Sequence, residues 1–284
     1  MPDSMPSAPG GAPTPPSSRA WGPDPTPGRS ESIVFDRAAA FYDETRGLPP
    51  DVQREVTRVL AAELSAVDGR CLEVGVGTGR MALPLHQQGV PMAGCDLSIP
   101  MMQRLIDKAD GAMPFPLAQA DGTRLPYRDG VFGAAMVVHV LHLIREWPDV
   151  VREMVRVVRR GGRLLVNLGG AHGINRAITD KFREYAPAAR RIGLTEPGPL
   201  DELMASLGAG PARLLERVEI PETIAPVDCL ERFESNQYSG TWRLTDEERN
   251  RAVELTRQWV HEHWDDPEVA RPDPVPIDCR SYNL

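Results

Sequence analysis

Short apolar runs alternate with helical segments over residues 70–169, and this alternation limits the fold more than any other feature of the sequence. The apolar runs are RCLEVGV, VPMAGCDL, FPLAQAD, GAAMVVHVLHL and RLLVNLG. Between the second and third runs, Ser98 precedes apolar residues at helical spacing, from Met102 to Ala109, which is typical of a serine-capped amphipathic helix. Strands joined by such helices are parallel. The sequence therefore predicts an α/β fold with a Rossmann-like, doubly wound sheet that is mainly parallel.

The two ends of the chain differ from this central pattern. Residues 1–30 contain nine of the 28 prolines and predict a disordered, proline-rich tail, whereas residues 31–284 predict one folded domain. Near the C-terminus, the strand-like segments ARLLERVEI and VPIDCRSYNL predict an antiparallel edge of the sheet. Helical segments within about 171–262 are expected to form a lid over the carboxyl ends of the strands, where ligands bind in sheets of this class.

Composition limits the classes of partner. The 284 residues carry a formal net charge of −8, which argues against a general nucleic-acid binder. No apolar run approaches the length of about 18 residues needed to span a membrane. The four cysteines lie far apart without a CxxC pair, which disfavours a structural metal or redox pair. We therefore expect a small-molecule partner, no metal, a cytoplasmic location, and a monomer or homodimer.

A glycine-rich turn follows the first apolar run. Gly75, Gly77 and Gly79 allow a sharp turn and the close approach of a ligand to the backbone, and the next helix begins with free N–H groups. A dinucleotide-binding turn has the spacing GxGxxG, and here Arg80 occupies the third glycine position. This difference disfavours a nicotinamide cofactor.

Carboxylates accompany three successive strands. Glu73 comes two residues before the first glycine, Asp96 ends the second strand, and Asp121 ends the third, directly before Gly122. Asp96 is placed to accept both hydroxyls of a ribose, and Asp121 to accept an adenine amino group. Each acid alone is also typical of a helix cap or turn. Together they favour a cationic, amine-bearing nucleoside over a pyrophosphate, which their charge would repel.

These segments together resemble a known family. LEVGVGTGR, Asp96 after AGC, AQADGTRLPYRDGVF, VVHVLHLI and RVVRRGGRLLV are similar to the successive motifs of class I S-adenosylmethionine-dependent methyltransferases, in the branch of ubiquinone and menaquinone biosynthesis. The resemblance covers residues 33–170. It implies that Gly75 and Gly77 contact the methionine part of the cofactor and Asp96, with the adjacent Leu97, the ribose. Further cofactor residues that it implies are Glu73, Asp121 and Gly122 (the last two at the adenine), His139, and Tyr42, which would close over the methionine end.

The candidates for chemistry follow the fourth strand. His139 is expected to line the cofactor through its backbone, and His142 is either a base on the acceptor side or a packed structural histidine. Tyr42 is a second catalytic candidate, and Arg46, Trp147 and Tyr238 are expected to contact the acceptor. A metal at the two histidines is disfavoured because the sequence places no third ligand nearby.

The lid segment indicates the size of the acceptor. Its few expected basic side chains favour a small molecule over a nucleic acid or a large protein. The leading hypothesis is S-adenosylmethionine-dependent methyl transfer to a small-molecule acceptor. The alternatives are a non-catalytic S-adenosylmethionine-binding regulatory or partner protein and an NAD-dependent oxidoreductase.

Overall fold

The computed structural model describes residues 35–284, so the tail predicted for residues 1–30 lies outside the described residues. Eleven strands are found in this range: β1 (Cys71–Val74), β2 (Met92–Asp96), β3 (Leu117–Gln119), β4 (Phe132–Val138), β5 (Val158–Asn167), β6 (Arg213–Leu214), β7 (Val218–Ile220), β8 (Thr223–Ile224), β9 (Arg271–Pro272), β10 (Val275–Ile277) and β11 (Arg280–Asn283). The α-helices are α1 (Tyr42–Arg46), α2 (Pro50–Leu64), α3 (Ala82–Gln87), α4 (Ile99–Lys108), α5 (Trp147–Val157), α6 (Gly173–Tyr185), α7 (Pro197–Ser206), α8 (Glu231–Glu234) and α9 (Asp246–His263).

Seven strands form the central sheet, in the order β3-β2-β1-β4-β5-β11-β6. The first five are parallel to one another, and β11 pairs antiparallel with both β5 and β6. The predicted doubly wound sheet with an antiparallel C-terminal edge is therefore confirmed. The chain leaves β1 towards β2 and β3 and returns to β4 on the other side. The strand order thus reverses between β1 and β4, where such sheets bind ligands.

Helices cover both faces of this sheet. On one face, α2 and α3 bury a continuous apolar cluster that includes Val56, Leu60 and Leu85. On the other, Val151 and Met154 of α5 pack against the strands. Because β4 is covered on both sides, its residues are almost all buried, which explains its nearly continuous apolar sequence.

The fourth strand is shorter than predicted. The apolar run suggested a strand to Leu143, but β4 ends at Val138, whose partner Asn167 ends β5. His139 then adopts a left-handed backbone with φ of 57°, and residues 141–143 form a 3-10 turn. Burial of these residues in a turn has the same apolar signature as a strand, which is why periodicity alone did not distinguish them.

The C-terminal third supplies one sheet edge and the lid. The sequence predicted a single strand over residues 212–220, but this segment forms two strands. β6 joins the central sheet, and β7 pairs with β10 in a separate two-stranded sheet. Helices α6, α8 and α9 share an apolar core of their own, in which Phe182 and Phe233 stack with ring centroids 4.2 Å apart. Thr245 and Glu248 form a capping box at the start of α9. Across residues 35–284, no helix combines the length and apolar character required to cross a bilayer.

Candidate functional site

The glycine turn lies at the point where the strand order reverses. Gly75 has φ of 74°, and a Cβ there would lie 2.4 Å from Cγ2 of Val140, on the segment after β4. Gly79 also has φ of 74°, and its Cβ would lie 2.6 Å from Cγ of Leu105 in α4. Larger residues would be strained in backbone and in contacts at both positions. The glycines therefore let the turn lie close to two neighbouring segments while leaving room for a ligand.

A small cavity opens beside this turn. Of the predicted cofactor residues, its wall contains Tyr42, Gly75, Gly77, Asp96, Leu97, Gly122 and His139. The rest of the wall is apolar, and half of it, Val138, Val140, Leu143 and Ile144, comes from the end of β4 and the segment after it. One carboxylate, a glycine backbone and apolar side chains suit a nucleoside with a flat base. The residues present thus fit an adenosyl group.

Asp96 has a defined orientation at the end of β2. Its Oδ2 accepts a hydrogen bond from the Gly77 N–H at 2.8 Å, and its Oδ1 accepts one from the Ser98 N–H at 2.8 Å. Burial raises the pKa of this carboxyl above its usual range, while these backbone N–H groups oppose the shift. Each carboxylate oxygen has further lone pairs. Asp96 can therefore hold the glycine turn and still accept hydroxyl groups of a ribose.

Glu73 and Asp121 do not belong to the wall of this cavity. Glu73 is buried beneath the turn, where burial raises its pKa to about 8 and the Ala82 backbone N–H donates to it. Within residues 35–284, its Oε2 finds no hydrogen-bond partner. Asp121 accepts at Oδ1 from the Thr123 N–H at 2.9 Å and from the Thr123 hydroxyl at 2.8 Å, as an acid in a turn does.

His139 lies between the small cavity and a larger one of about 700 Å³, and it lines both. Its backbone N–H donates to the Asn167 carbonyl at 3.0 Å. Its ring packs close to Gly169, where an added Cβ would lie 2.7 Å from the His139 Nε2. Burial first, and then the charges of Arg80, Arg191 and Arg46, lower its pKa to about 3. His139 is therefore neutral at physiological pH.

His142 lines the larger cavity. Burial, followed by the charge of Arg191, lowers its pKa well below the usual value. Its carbonyl accepts a hydrogen bond from the Gly193 N–H at 3.2 Å, which joins the turn after β4 to the segment before α7. Its Nδ1 is buried and has no hydrogen-bond partner among the described residues. The imidazole is thus neutral and borders the larger cavity.

The N-terminal segment covers the small cavity, and side chains of the glycine turn hold it there. The Thr78 hydroxyl donates to Asp43 Oδ1 at 2.6 Å, and Arg80 Nη1 donates to the Arg46 carbonyl at 2.8 Å. Tyr42, directly before Asp43 in the chain, lines both cavities. The arginine at the third glycine position of a dinucleotide turn therefore fastens α1 over the site. Spacing alone could not reveal this role, because the partner is a backbone carbonyl 34 residues away.

The three predicted acceptor residues lie in different places. Arg46 and Tyr238 both line the larger cavity, and the Arg46 guanidinium carbon lies 4.5 Å from the centroid of the Tyr238 ring. Trp147 instead begins α5 and packs, partly buried, against the central core. It is absent from the walls of the cavities described along residues 35–284. Trp147 is the first residue of α5 and packs against the sheet, so it does not contact the acceptor cavity as the sequence predicted.

Arginines dominate the charged lining of the larger cavity. Two come from the cofactor side, Arg46 and Arg80, and five from the lid region, Arg183, Arg190, Arg191, Arg232 and Arg243. The acids in the same wall are Glu44 and Glu222. The expectation that the lid contributes few basic side chains is therefore wrong. The lid sequence mixes arginines with nearby acids, so only the packing shows which of them face inward.

Comparison with known proteins identifies the fold and family. The methyltransferase domain family matches residues 72–166. A phosphatidylethanolamine N-methyltransferase of Cereibacter sphaeroides is 36% identical over 130 residues, which cover 45% of this chain and 62% of that protein. The demethylmenaquinone methyltransferase of Mycolicibacterium vanbaalenii is 31% identical over 196 residues, 66% of this chain and 82% of that protein.

A solved structure agrees with the fold. The YcgJ protein of Bacillus subtilis superposes with a TM-score of 0.55 at 14% identity, over 80% of this chain and 98% of that one. This likeness covers more of the chain than residues 72–166, and at 14% identity it shows the fold alone. The chain belongs to the class I S-adenosylmethionine-dependent methyltransferases, in the group of the quinone-biosynthesis type.

Proposed function

We propose that this methyltransferase modifies a small molecule held in the larger cavity, with S-adenosylmethionine in the smaller one. The observation that carries the proposal is the wall shared by the two cavities, which contains Tyr42, His139 and Leu143. A methyl donor in one cavity and an acceptor in the other would meet at this wall. The larger cavity, at about 700 Å³, has the size of a site for a small organic molecule.

Each predicted cofactor residue receives a role in this proposal. Gly75 and Gly77 give the methionine part access to the backbone, and Asp96, with Leu97 beside it, binds the ribose. Gly122 leaves space for the adenine, and the neighbouring Asp121 shapes this turn through its bonds to Thr123. Glu73 supports the turn from below.

Positioning supplies most of the catalysis. The cofactor, when bound, provides a methyl group on a sulfonium centre that an acceptor atom attacks in line. Tyr42 and His139 border the meeting point and exclude water from it. His142 is neutral, so it can take a proton from an acceptor hydroxyl or amine as the acceptor is methylated. Its low pKa makes it a weak base unless a bound acceptor offsets the nearby positive charges.

The proposal includes the kind of partner, the oligomeric state and a cytoplasmic location. The larger cavity suits a small-molecule acceptor better than it suits a nucleic acid. We propose that the protein is a monomer or a homodimer. All four cysteines are buried and free, as is usual in the reducing cytoplasm.

A transfer assay tests the proposed function. Tritiated S-adenosylmethionine is incubated with the full chain and a metabolite extract of low molecular weight, and label in small molecules is measured. We expect labelled product with the wild type and about tenfold to hundredfold less with Asp96→Ala at limiting cofactor, since a charged hydrogen-bond pair to the ribose is lost. Cofactor binding without any labelled product would instead indicate a binding protein without catalysis.

A further inference from the structure

The charge of the larger cavity is opposite to that of the chain. The whole protein carries a net charge of −8, yet arginines outnumber acids in this wall. Of these arginines, Arg183 pairs with Asp180 and Arg232 pairs with Glu222. The other five form no ion pair with an acid among residues 35–284. The cavity therefore holds positive charge that the described part of the protein does not neutralise.

Arg191 is the arginine most closely tied to the reactive end of the cavity. The segment that carries it is anchored by two backbone hydrogen bonds, from Gly193 to the His142 carbonyl at 3.2 Å and from Leu194 to the Leu141 carbonyl at 3.1 Å. A Cβ at Gly193 would lie 2.1 Å from the Leu141 oxygen, so this approach requires glycine. Arg191 is thus held beside His142 by the backbone.

The guanidinium of Arg191 lacks a partner of its own. It is half-buried in the wall, and no carboxylate of residues 35–284 comes within ion-pair distance of it. Burial and then the neighbouring Arg183 lower its pKa to about 10, while Asp180 and Glu196 oppose the shift from beyond ion-pair distance, so it remains charged at neutral pH. A partly desolvated charge without a counter-charge is costly unless a ligand supplies one.

The cofactor increases this imbalance. Its sulfonium brings a further positive charge to the shared wall of the two cavities. A neutral acceptor would leave the arginines uncompensated, and a cationic one would add repulsion. An anion would pair with a planar guanidinium through two parallel hydrogen bonds, the geometry in which arginine binds carboxylate and phosphate.

We propose that the methyl acceptor carries an anionic group, a carboxylate or a phosphate, which pairs with Arg191 and is assisted by the neighbouring Arg183. This inference rests on the proposed function, because it assumes that the larger cavity holds the acceptor. The anion lies on the lid side of His142, and the rest of the acceptor extends towards the wall shared with the cofactor. Burial is the main cause of the low pKa of His142, and the charge of Arg191 adds to it; the bound anion offsets this second cause, so the histidine is a stronger base with the acceptor present than without it.

Matched probes test this inference by calorimetry on the full chain with saturating S-adenosylhomocysteine. The anionic probes are 4-methylbenzoate and phenyl phosphate, and the neutral probes are 4-methylbenzamide and benzyl alcohol. The variant is Arg191→Gln. A second variant, Arg191→Lys, retains the positive charge but lacks the planar guanidinium that donates two parallel hydrogen bonds. The control is Arg251→Gln, which removes the same charge from an exposed position on α9 outside the cavity wall.

We expect at least one anionic probe to bind about tenfold or more tightly than its neutral counterpart, a preference that Arg191→Gln removes and Arg251→Gln keeps. Arg191→Lys should restore part of it. Comparison of the benzoate with the phosphate identifies which anion the site prefers. Equal binding of anionic and neutral probes, or no binding of either anion at millimolar concentration, would overturn the inference. Binding of S-adenosylhomocysteine is measured in the same samples, so failure of the cofactor site is seen separately.

Discussion

At the scale of single residues, burial determines what each charged group of the site can do. Asp96 lies at the cavity wall and receives two backbone N–H bonds, so it is an oriented acceptor. Glu73, two residues before the turn, is buried beneath it with one oxygen unpartnered among the described residues. Both acids belong to strand ends and look alike in sequence. Their difference follows from their positions along the strands: Asp96 is the last residue of β2, whereas Glu73 lies within β1, beneath the turn.

Glu73 gives the molecule a pH-dependent stability. Its pKa is raised to about 8, above its ordinary value of 4.5, so the folded state holds a proton that the unfolded state has lost between these values. The stabilisation from this proton is complete below about pH 4.5 and disappears as the pH rises through about 8. Glu73→Gln cannot lose a proton, and Gln can still accept the Ala82 N–H. We therefore expect the variant to gain stability over the wild type as pH increases from 5 to about 8.5.

Denaturant unfolding at several pH values measures this difference. At each pH, the free energy of unfolding of the wild type is subtracted from that of the variant. This removes the contribution of His139, whose lowered pKa acts in the opposite sense: its stabilisation is present above about pH 6.5 and is lost as the pH falls. Glu268→Gln, at an exposed position, is the control and should give a flat difference. A flat difference for Glu73→Gln as well would refute the assignment of a buried, protonated carboxyl.

At the scale of elements, the N-terminal segment and the glycine turn act as one unit. Asp43 accepts from Thr78 of the turn and pairs with Lys108 of α4 at 3.0 Å, and Arg104 donates to the carbonyl of Ala39 at 3.2 Å. From the lid side, Trp242 lies against Phe35 with ring centroids 5.0 Å apart. The segment that covers the small cavity, which we propose as the cofactor site, is therefore held by polar contacts below and aromatic contacts above.

Loss of the lower contacts should loosen the cover. Asp43→Ala removes the bond from Thr78 and the pair with Lys108, but Asp43 itself lies outside the wall of the cofactor cavity. We expect S-adenosylhomocysteine to bind about threefold to tenfold more weakly, mainly through faster dissociation, because part of the binding energy must then order the segment. Stopped-flow displacement measures the dissociation rate. Asp68→Ala, at an exposed loop position, is the matched control; equal rates in the two variants would contradict the proposed fastening.

At the scale of the whole molecule, the sequence predicts features that depend on local pattern and misses those that depend on distant packing. The sheet, its antiparallel edge and the placement of Gly75, Gly77 and Asp96 at one end follow from periodicity and strand order. The inward direction of Arg191 and the bond from Arg80 to the Arg46 carbonyl do not. Each depends on segments far apart in the chain that meet only in the folded protein.

The same reason explains why the structure separates Trp147 from the site and brings Tyr238 to it. Trp147 follows His142 closely in sequence, but α5 turns back along the sheet and carries it into the core. Tyr238 lies nearly two hundred residues after Arg46, yet the lid brings the two together. Residues close in the chain are also close in the fold when they belong to one strand and its following turn, but often not when a crossover helix lies between them.

The central claim is that the cofactor and the acceptor occupy two cavities with a common wall. A crystal structure with S-adenosylhomocysteine tests it most directly. We expect the ribose hydroxyls within hydrogen-bond distance of the Asp96 carboxylate, and the sulfur at the wall formed by Tyr42 and His139, facing the arginine-lined cavity. A ligand bound with its ribose away from Asp96, or with its sulfur facing away from that cavity, would contradict the account.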